Sequence, residues 1–136
     1  MREGANTLAV RVYYEDTDFS GFVYHANYLR FLERGRTELL RALAMGQADL
    51  QRESDLIFVV RRMSLEFLKP ARMDDLLTIV TRPSDLRGAS MPLVQEVRRG
   101  DDLLVRADVT VAAVRGGRAV RLPDALRRAL AEDAPS

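Results

Sequence analysis

The chain has 136 residues, 47% of them hydrophobic, which is enough for one domain around one core. Its formal net charge is +1, so neither nucleic acid nor an anionic membrane is favoured as a bulk partner. With Cys 0 and His 1, disulfides, thiol nucleophiles, Cys-ligated zinc and multi-histidine metal sites are excluded, and no metal site is expected.

Lys69 is the single lysine among 21 basic residues. Codon bias in a GC-rich genome accounts for that, and so would arginines that bind phosphates. Residues 1–6 lack the apolar core of a signal peptide. The longest strongly apolar run, 56–60, is too short to span a membrane. A soluble, cytoplasmic protein is the expectation.

Leu8, Val10, Val12 and Tyr14 alternate with Ala9, Arg11 and Tyr13, the period of a strand with one buried face. A cluster of acids follows: Glu15, Asp16 and Asp18. Glu15 and Asp16 are expected to be solvated or paired with nearby arginines. Gly21 tolerates a positive φ, so the chain can turn sharply there. The helix is expected to start at Ala26-Asn27, with Asn27 or a neighbour as cap. Tyr28, Phe31, Leu32, Gly35, Leu39, Ala42, Leu43 and Gly46 form its apolar or small stripe. Arg30, Glu33, Arg34, Arg36, Glu38 and Arg41 form a solvated side, where Arg34 can pair with Glu38 and Glu33 with Arg36. Leu29 and Leu40 fall off the stripe together, towards a second surface. Gly35 costs about 1 kcal/mol relative to Ala in mid-helix, and close approach to a packing partner compensates. Gly46 is the expected stop.

Strands are expected at 56–60, 63–68, 76–82, about 89–98, 103–113 and 119–122. Gly100-Asp101-Asp102 and Gly116-Gly117 supply hairpin turns. Pro92 inside a strand pattern demands an edge, a bulge or a late start. Pro123 opens a short helix at 124–131, and 132–136 is a tail. One helical stripe on one antiparallel sheet of about five strands gives a single two-layer α+β domain over 1–136. Its uncovered sheet edges favour a homo-oligomer.

Asp18 stands in a loop just before a helix N-terminus. Such a terminus carries unsatisfied N–H donors and a partial positive charge, and welcomes an oxyanion. A carboxylate beside those donors can attack a carbonyl or activate water. The plainer alternative is that Asp18 caps a turn. His25 can act as acid, base or donor near neutral pH, or simply hydrogen-bond at a helix end. Its backbone N–H can serve as an oxyanion donor whatever its ring does. Glu33, flanked by arginines, reads as a salt-bridged face residue. No nucleophile elbow, dinucleotide fingerprint or P-loop occurs.

The run Tyr14 to Glu38, with Asp16, Asp18, Gly21, Val23, His25, Asn27 and Tyr28, resembles the signature of the YbgC branch of the 4-hydroxybenzoyl-CoA thioesterase family. Phe58-Val59-Val60-Arg61 with Met63, Pro70-Ala71-Arg72 with Asp74-Asp75, and Arg87-Gly88-Ala89-Ser90 extend the resemblance over nearly the whole chain. It implies a hotdog fold, in which the helix is wrapped by the sheet. It implies protomers paired through their sheets, as dimers or tetramers, with active sites at the subunit boundary. The implied reaction is hydrolysis of an acyl-CoA thioester, without a cofactor beyond the coenzyme A of the substrate. Asp18 matches the catalytic aspartate, as nucleophile or general base, and the His25 amide matches the group that polarises the carbonyl. Gly21 lets loop and ligand approach closely. Phe22, Tyr28, Phe58, Val59 and Val60 are candidates for the acyl pocket, of small-to-medium capacity. Arg61, Arg62, Arg87 and Ser90 are candidates for binding coenzyme A. Gly88, Ala89, Pro92 and Phe19-Ser20 depart from the pattern. Two further readings are an acyl-carrier-protein or envelope (Tol-Pal)-associated acyl binder with weak hydrolysis, and a hotdog dehydratase.

Overall fold

The computed structural model describes residues 6–43 and 55–133. Its elements are β1 (Asn6–Arg11), α1 (Asn27–Ala42), β2 (Leu56–Phe67), β3 (Leu76–Pro83), β4 (Ser90–Arg99), β5 (Asp102–Arg115), β6 (Arg118–Ala119) and α2 (Asp124–Asp133), with a short 3-10 turn at Tyr14–Asp16. All strands join one antiparallel sheet in the order β1-β3-β4-β5-β2, and β6 pairs with β5. The long helix α1 packs chiefly on β1 and β3. This is the hotdog arrangement that the resemblance implies.

Register explains the core. Opposed residues in an antiparallel ladder share a face, so Ile79, Val97 and Val105 form one row facing α1, and Thr81, Gln95, Ala107 and Leu65 another. Tyr28, Phe31, Leu32, Gly35, Leu39 and Leu40 of α1 are buried. A Cβ added at Gly35 would lie 2.8 Å from Ile79 Cγ2 and 2.8 Å from Thr81 Oγ1. The helix can therefore sit this close to the sheet only with glycine there, as its place on the apolar stripe implied. Buried Gln95 ties the same seam. Its amide donates to the Leu32 carbonyl and to Thr81 Oγ1, both at 2.9 Å, and its oxygen accepts from Arg36 Nη1 at 3.0 Å.

Several expectations are corrected. The first strand stops at Arg11, although the Val12 N–H still bonds in register to the Asp75 carbonyl, and the 3-10 turn at Tyr14–Asp16 follows. Of the two options for the helix cap, the neighbour holds the position. The N-cap position is Ala26, and the Asn27 amide instead donates to Asp16 Oδ1 at 2.6 Å. Leu40 is buried and Ala42 exposed, the reverse of the expected stripe. Arg36 leaves the solvated face for Gln95, while Glu38 pairs with Arg41 and Arg34 lies over the Phe31 ring. The strands expected at 56–60 and 63–68 are one strand, since a bulge between Val60 and Arg62 carries the ladder through. The last strand is only the two residues of β6. Gly46, the expected helix stop, lies outside the described residues.

Pro92 ends a ladder. The Ser84 N–H donates to the Pro92 carbonyl at 2.8 Å, and proline has no N–H to return. The paired register of β3 with β4 accordingly stops at Pro83 and Leu93. Helix α2 packs against β3 and buries Leu126 and Leu130, and it runs to Asp133, two residues into the expected tail.

Candidate active site

The loop before α1 is a small hairpin. Thr17 bridges Val23, the Asp18 N–H donates to the Phe22 carbonyl at 2.9 Å, and the Gly21 N–H returns to the Asp18 carbonyl at 3.0 Å. Gly21 has φ 87°, a left-handed conformation that side chains resist. A second set of bonds docks the hairpin on 71–72. Phe22 bridges Arg72, and the Val23 N–H donates to the Ala71 carbonyl at 2.9 Å. Tyr28 completes this clamp from the helix, its hydroxyl accepting from the Ala71 N–H at 3.1 Å. Burial pushes the Tyr28 phenol above its ordinary range.

Asp16 and Asp18 have opposite surroundings. Asp16, expected to be solvated, is buried and accepts from the Tyr13 N–H at 2.8 Å and from Asn27. It knots the strand end to the helix start. Asp18 is exposed. Its Oδ1 accepts from the Ser20 N–H at 2.8 Å and from the Ser20 hydroxyl. These bonds, helped by the charge of nearby His25, hold its carboxyl below the usual carboxylate range.

His25 is exposed at the mouth of a cavity of about 260 Å³ lined by Val23, Tyr28, Phe67, Leu68, Lys69 and Pro70. Among the described residues, neither the His25 nor the Ala26 N–H finds an acceptor, whereas the Asn27 N–H bonds back to Tyr24. The open donors of the helix start therefore lie at the His25 end, as helix geometry requires. Phe67, Leu68, Lys69 and Pro70 were not among the site residues expected from the sequence; Pro70 was noted only within the resemblance.

The other candidates lie elsewhere. Phe58 and Val60 line a second cavity of about 230 Å³, closed by Arg36, Thr37 and Leu40 of α1. Burial pulls the Arg36 guanidinium down from its usual range. Val59 does not belong to this wall, because it alternates onto the opposite face with Ala112. Ser90, Ala112 and Val59 form one cross-strand row, and Pro92, Thr110 and Arg62 another. Arg87 caps the same end, bridged to Ser90 around Gly88. Arg61, Arg62, Arg87 and Ser90 thus share an end of the sheet with Phe58 and Val60, with Arg62 and Ser90 in rows on the opposite face. Phe67, beside His25, is nine positions along β2 from Phe58, roughly 30 Å for an extended strand. One chain brings together Asp18, Gly21, Phe22, His25 and Tyr28 at one end, and the acyl and coenzyme A candidates of β2 and β4 at the other.

Known proteins share this build. The Thioesterase superfamily pattern matches residues 20–106. The acyl-CoA thioesterase YbgC of Haemophilus influenzae is 44% identical over 114 residues, 84% of this chain and 84% of that protein. The acyl-CoA thioester hydrolase YbgC of Escherichia coli is 47% identical over 106 residues, 77% of this chain and 78% of the other. Among solved structures, a probable thioesterase from Bartonella henselae superposes with a TM-score of 0.85 at 45% identity, over 88% of this chain and 99% of that one.

Proposed function

The chain belongs to the thioesterase superfamily, and from that premise we propose that it hydrolyses acyl-CoA thioesters to the free acid and coenzyme A. The observation that carries the reading is the exposed Asp18 carboxylate on a clamped hairpin that leads into helix-start amides without an acceptor, with the charge of His25 felt at the carboxyl. The thioester oxygen takes the His25 N–H, strengthened by the helix dipole. Asp18 either attacks the carbonyl carbon or draws the proton from a water that does so. The C–S bond breaks, and the thiolate leaves and takes up a proton; where Asp18 itself attacked, a water then hydrolyses the acyl–aspartyl anhydride, which releases the acid and restores the carboxylate. The His25 ring, exposed at the same mouth, is available for the proton transfer to the thiolate. A thioester is an activated acyl group, so this set of groups suffices without a cofactor of its own. Acyl-CoA is a cytosolic metabolite, which favours the cytoplasm as the place of work.

The apolar wall beside His25 is open to solvent in one chain, with Phe67 and Leu68 about half exposed, so an acyl chain there needs further cover. Strand β2, of 12 residues, is a sheet edge, and Val60 and Phe67 on its helix-side face are 45% and 52% exposed. A long apolar edge of this kind invites a second strand. Two copies pairing antiparallel along β2 would reverse its ends, bringing Phe58 and Val60 of one protomer towards Phe67 and His25 of the other. The cavity of about 230 Å³ at Phe58 then receives a small-to-medium acyl group. Arg61, Arg62, Arg87 and Ser90, at the same end of the sheet, are the proposed contacts for the phosphates.

The test is thiol release from a panel of acyl-CoAs, short aliphatic to long-chain and aryl, with Asp18→Asn beside the wild type. Asp18→Asn is expected to lower kcat by about a hundredfold or more. Equal rates for the two proteins would remove Asp18 from the chemistry, and a panel without turnover would remove the hydrolase reading.

A further inference from the structure

The Asp18 carboxylate has two oxygens, and the structure uses them unequally. Oδ1 receives both the N–H and the hydroxyl of Ser20. The hydroxyl's direction is fixed by a third contact, because Ser20 Oγ also accepts from the Phe22 N–H at 3.3 Å. That contact occupies a lone pair and leaves the single hydroxyl proton for Asp18. Among the described residues, no donor is recorded on Oδ2.

We propose that Ser20 is a positioning residue: it anchors Oδ1, so that Oδ2 is the oxygen that meets the thioester carbon or its attacking water. The proposal rests on the hydrolase reading for its consequence, and on the loop geometry for its cause. A carboxylate held by one oxygen cannot swing about its Cβ–Cγ bond. Its free oxygen then keeps one position relative to the His25 amide, and such fixing of a reacting group is a large part of catalysis. Both contacts also favour the ionised form. Charged groups near the loop include His25, Asp16, which is held by Tyr13 and Asn27, and Arg72. His25 adds a smaller pull in the same direction. The Arg72 guanidinium lies 5.1 Å from the Phe22 ring centroid, on the far side of the hairpin bridge. Ser20 variants alter none of them.

Ser20→Ala deletes the hydroxyl and keeps the backbone N–H, and Ser20→Thr keeps both. Two readouts are needed: the Asp18 carboxyl titration followed by carbon NMR, and kcat with KM on the best acyl-CoA. In Ser20→Ala the titration midpoint is expected to move up. The acid limb of kcat/KM should move with it, and kcat should fall about tenfold at unchanged KM. Ser20→Thr should restore all three. A midpoint that stays in place in Ser20→Ala overturns the proposal, whether or not any thioester is hydrolysed. A moved midpoint with unchanged kcat overturns it too, since the hydroxyl would then tune charge without positioning. A moved midpoint in a protein whose wild type turns over no acyl-CoA supports the Ser20 anchor and sinks the hydrolase reading instead.

Discussion

The two ends of β2 are built on different principles. At the Phe67 end, a hairpin of polar groups is held by backbone hydrogen bonds to 71–72 and by buried Asp16. At the Phe58 end, the wall is made of side chains on regular strands, closed by the second half of α1. The first end offers a carboxylate and open amides, with an apolar wall of which Phe67 and Leu68 are about half exposed. The second offers enclosure and arginines but no exposed carboxylate beside open amides. Reacting groups need directed bonds, and an acyl chain needs dry surface. A single strand of this length cannot present both at one point, which is why the pairing of two copies carries so much of the functional reading.

The sharpest way to break that comparison is complementation. Asp18→Asn damages only the Phe67 end and Phe58→Asp only the other. Each alone should be inactive. Co-refolded in equal amounts, they should regain about a quarter of wild-type turnover, because random pairing places one intact composite site in half of the dimers. A mixture no more active than its parents would mean that the two ends do not meet across subunits.

Helix α1 spans both ends, so a change at its seam should touch both. Gly35→Ala forces a Cβ to 2.8 Å from Ile79 Cγ2 and Thr81 Oγ1. Overpacking of this kind costs about 1–3 kcal/mol, against a gain of about 1 kcal/mol in helix propensity. Urea unfolding should show a net loss, and a variant more stable than the wild type would mean that the seam has slack.

A smaller effect isolates the Phe67 end. Burial raises the Asp75 carboxyl, but the Arg72 N–H and Arg99, each at 2.8 Å, outweigh it and hold the carboxyl below its ordinary range. A folded-state value below the unfolded one stabilises the protein above the unfolded value, and that stability is lost as pH falls through the folded one. Asp75→Asn should therefore be less stable than wild type at neutral pH, and the gap should close in acid. An equal gap at both pH values would show that charge at Asp75 does not hold the 71–75 turn.

The legible parts of the molecule were those written in local pattern. Gly35 on an apolar stripe announced close packing, and acids followed by Gly21 and a helix start announced the hairpin. Less legible were residues whose hydrogen-bond partners are distant in sequence. Asn27 read as a cap but bonds to Asp16. Asp16 read as solvated but is a buried knot. Arg36 read as a surface charge but bonds to Gln95, 59 positions away. Arg61-Arg62 looked like a gap between strands, because a bulge interrupts alternation as a turn does.

By itself, then, the sequence determined the α+β class, the order of helix and strands, and the loop that carries Asp18 and His25, since these follow from periodicity and from residues adjacent in the chain. Only the tertiary structure decided which polar residues are buried, and that Phe58 and His25 stand at opposite ends of one strand. Distance across a sheet and the choice among competing hydrogen-bond partners depend on packing, and no local pattern contains them.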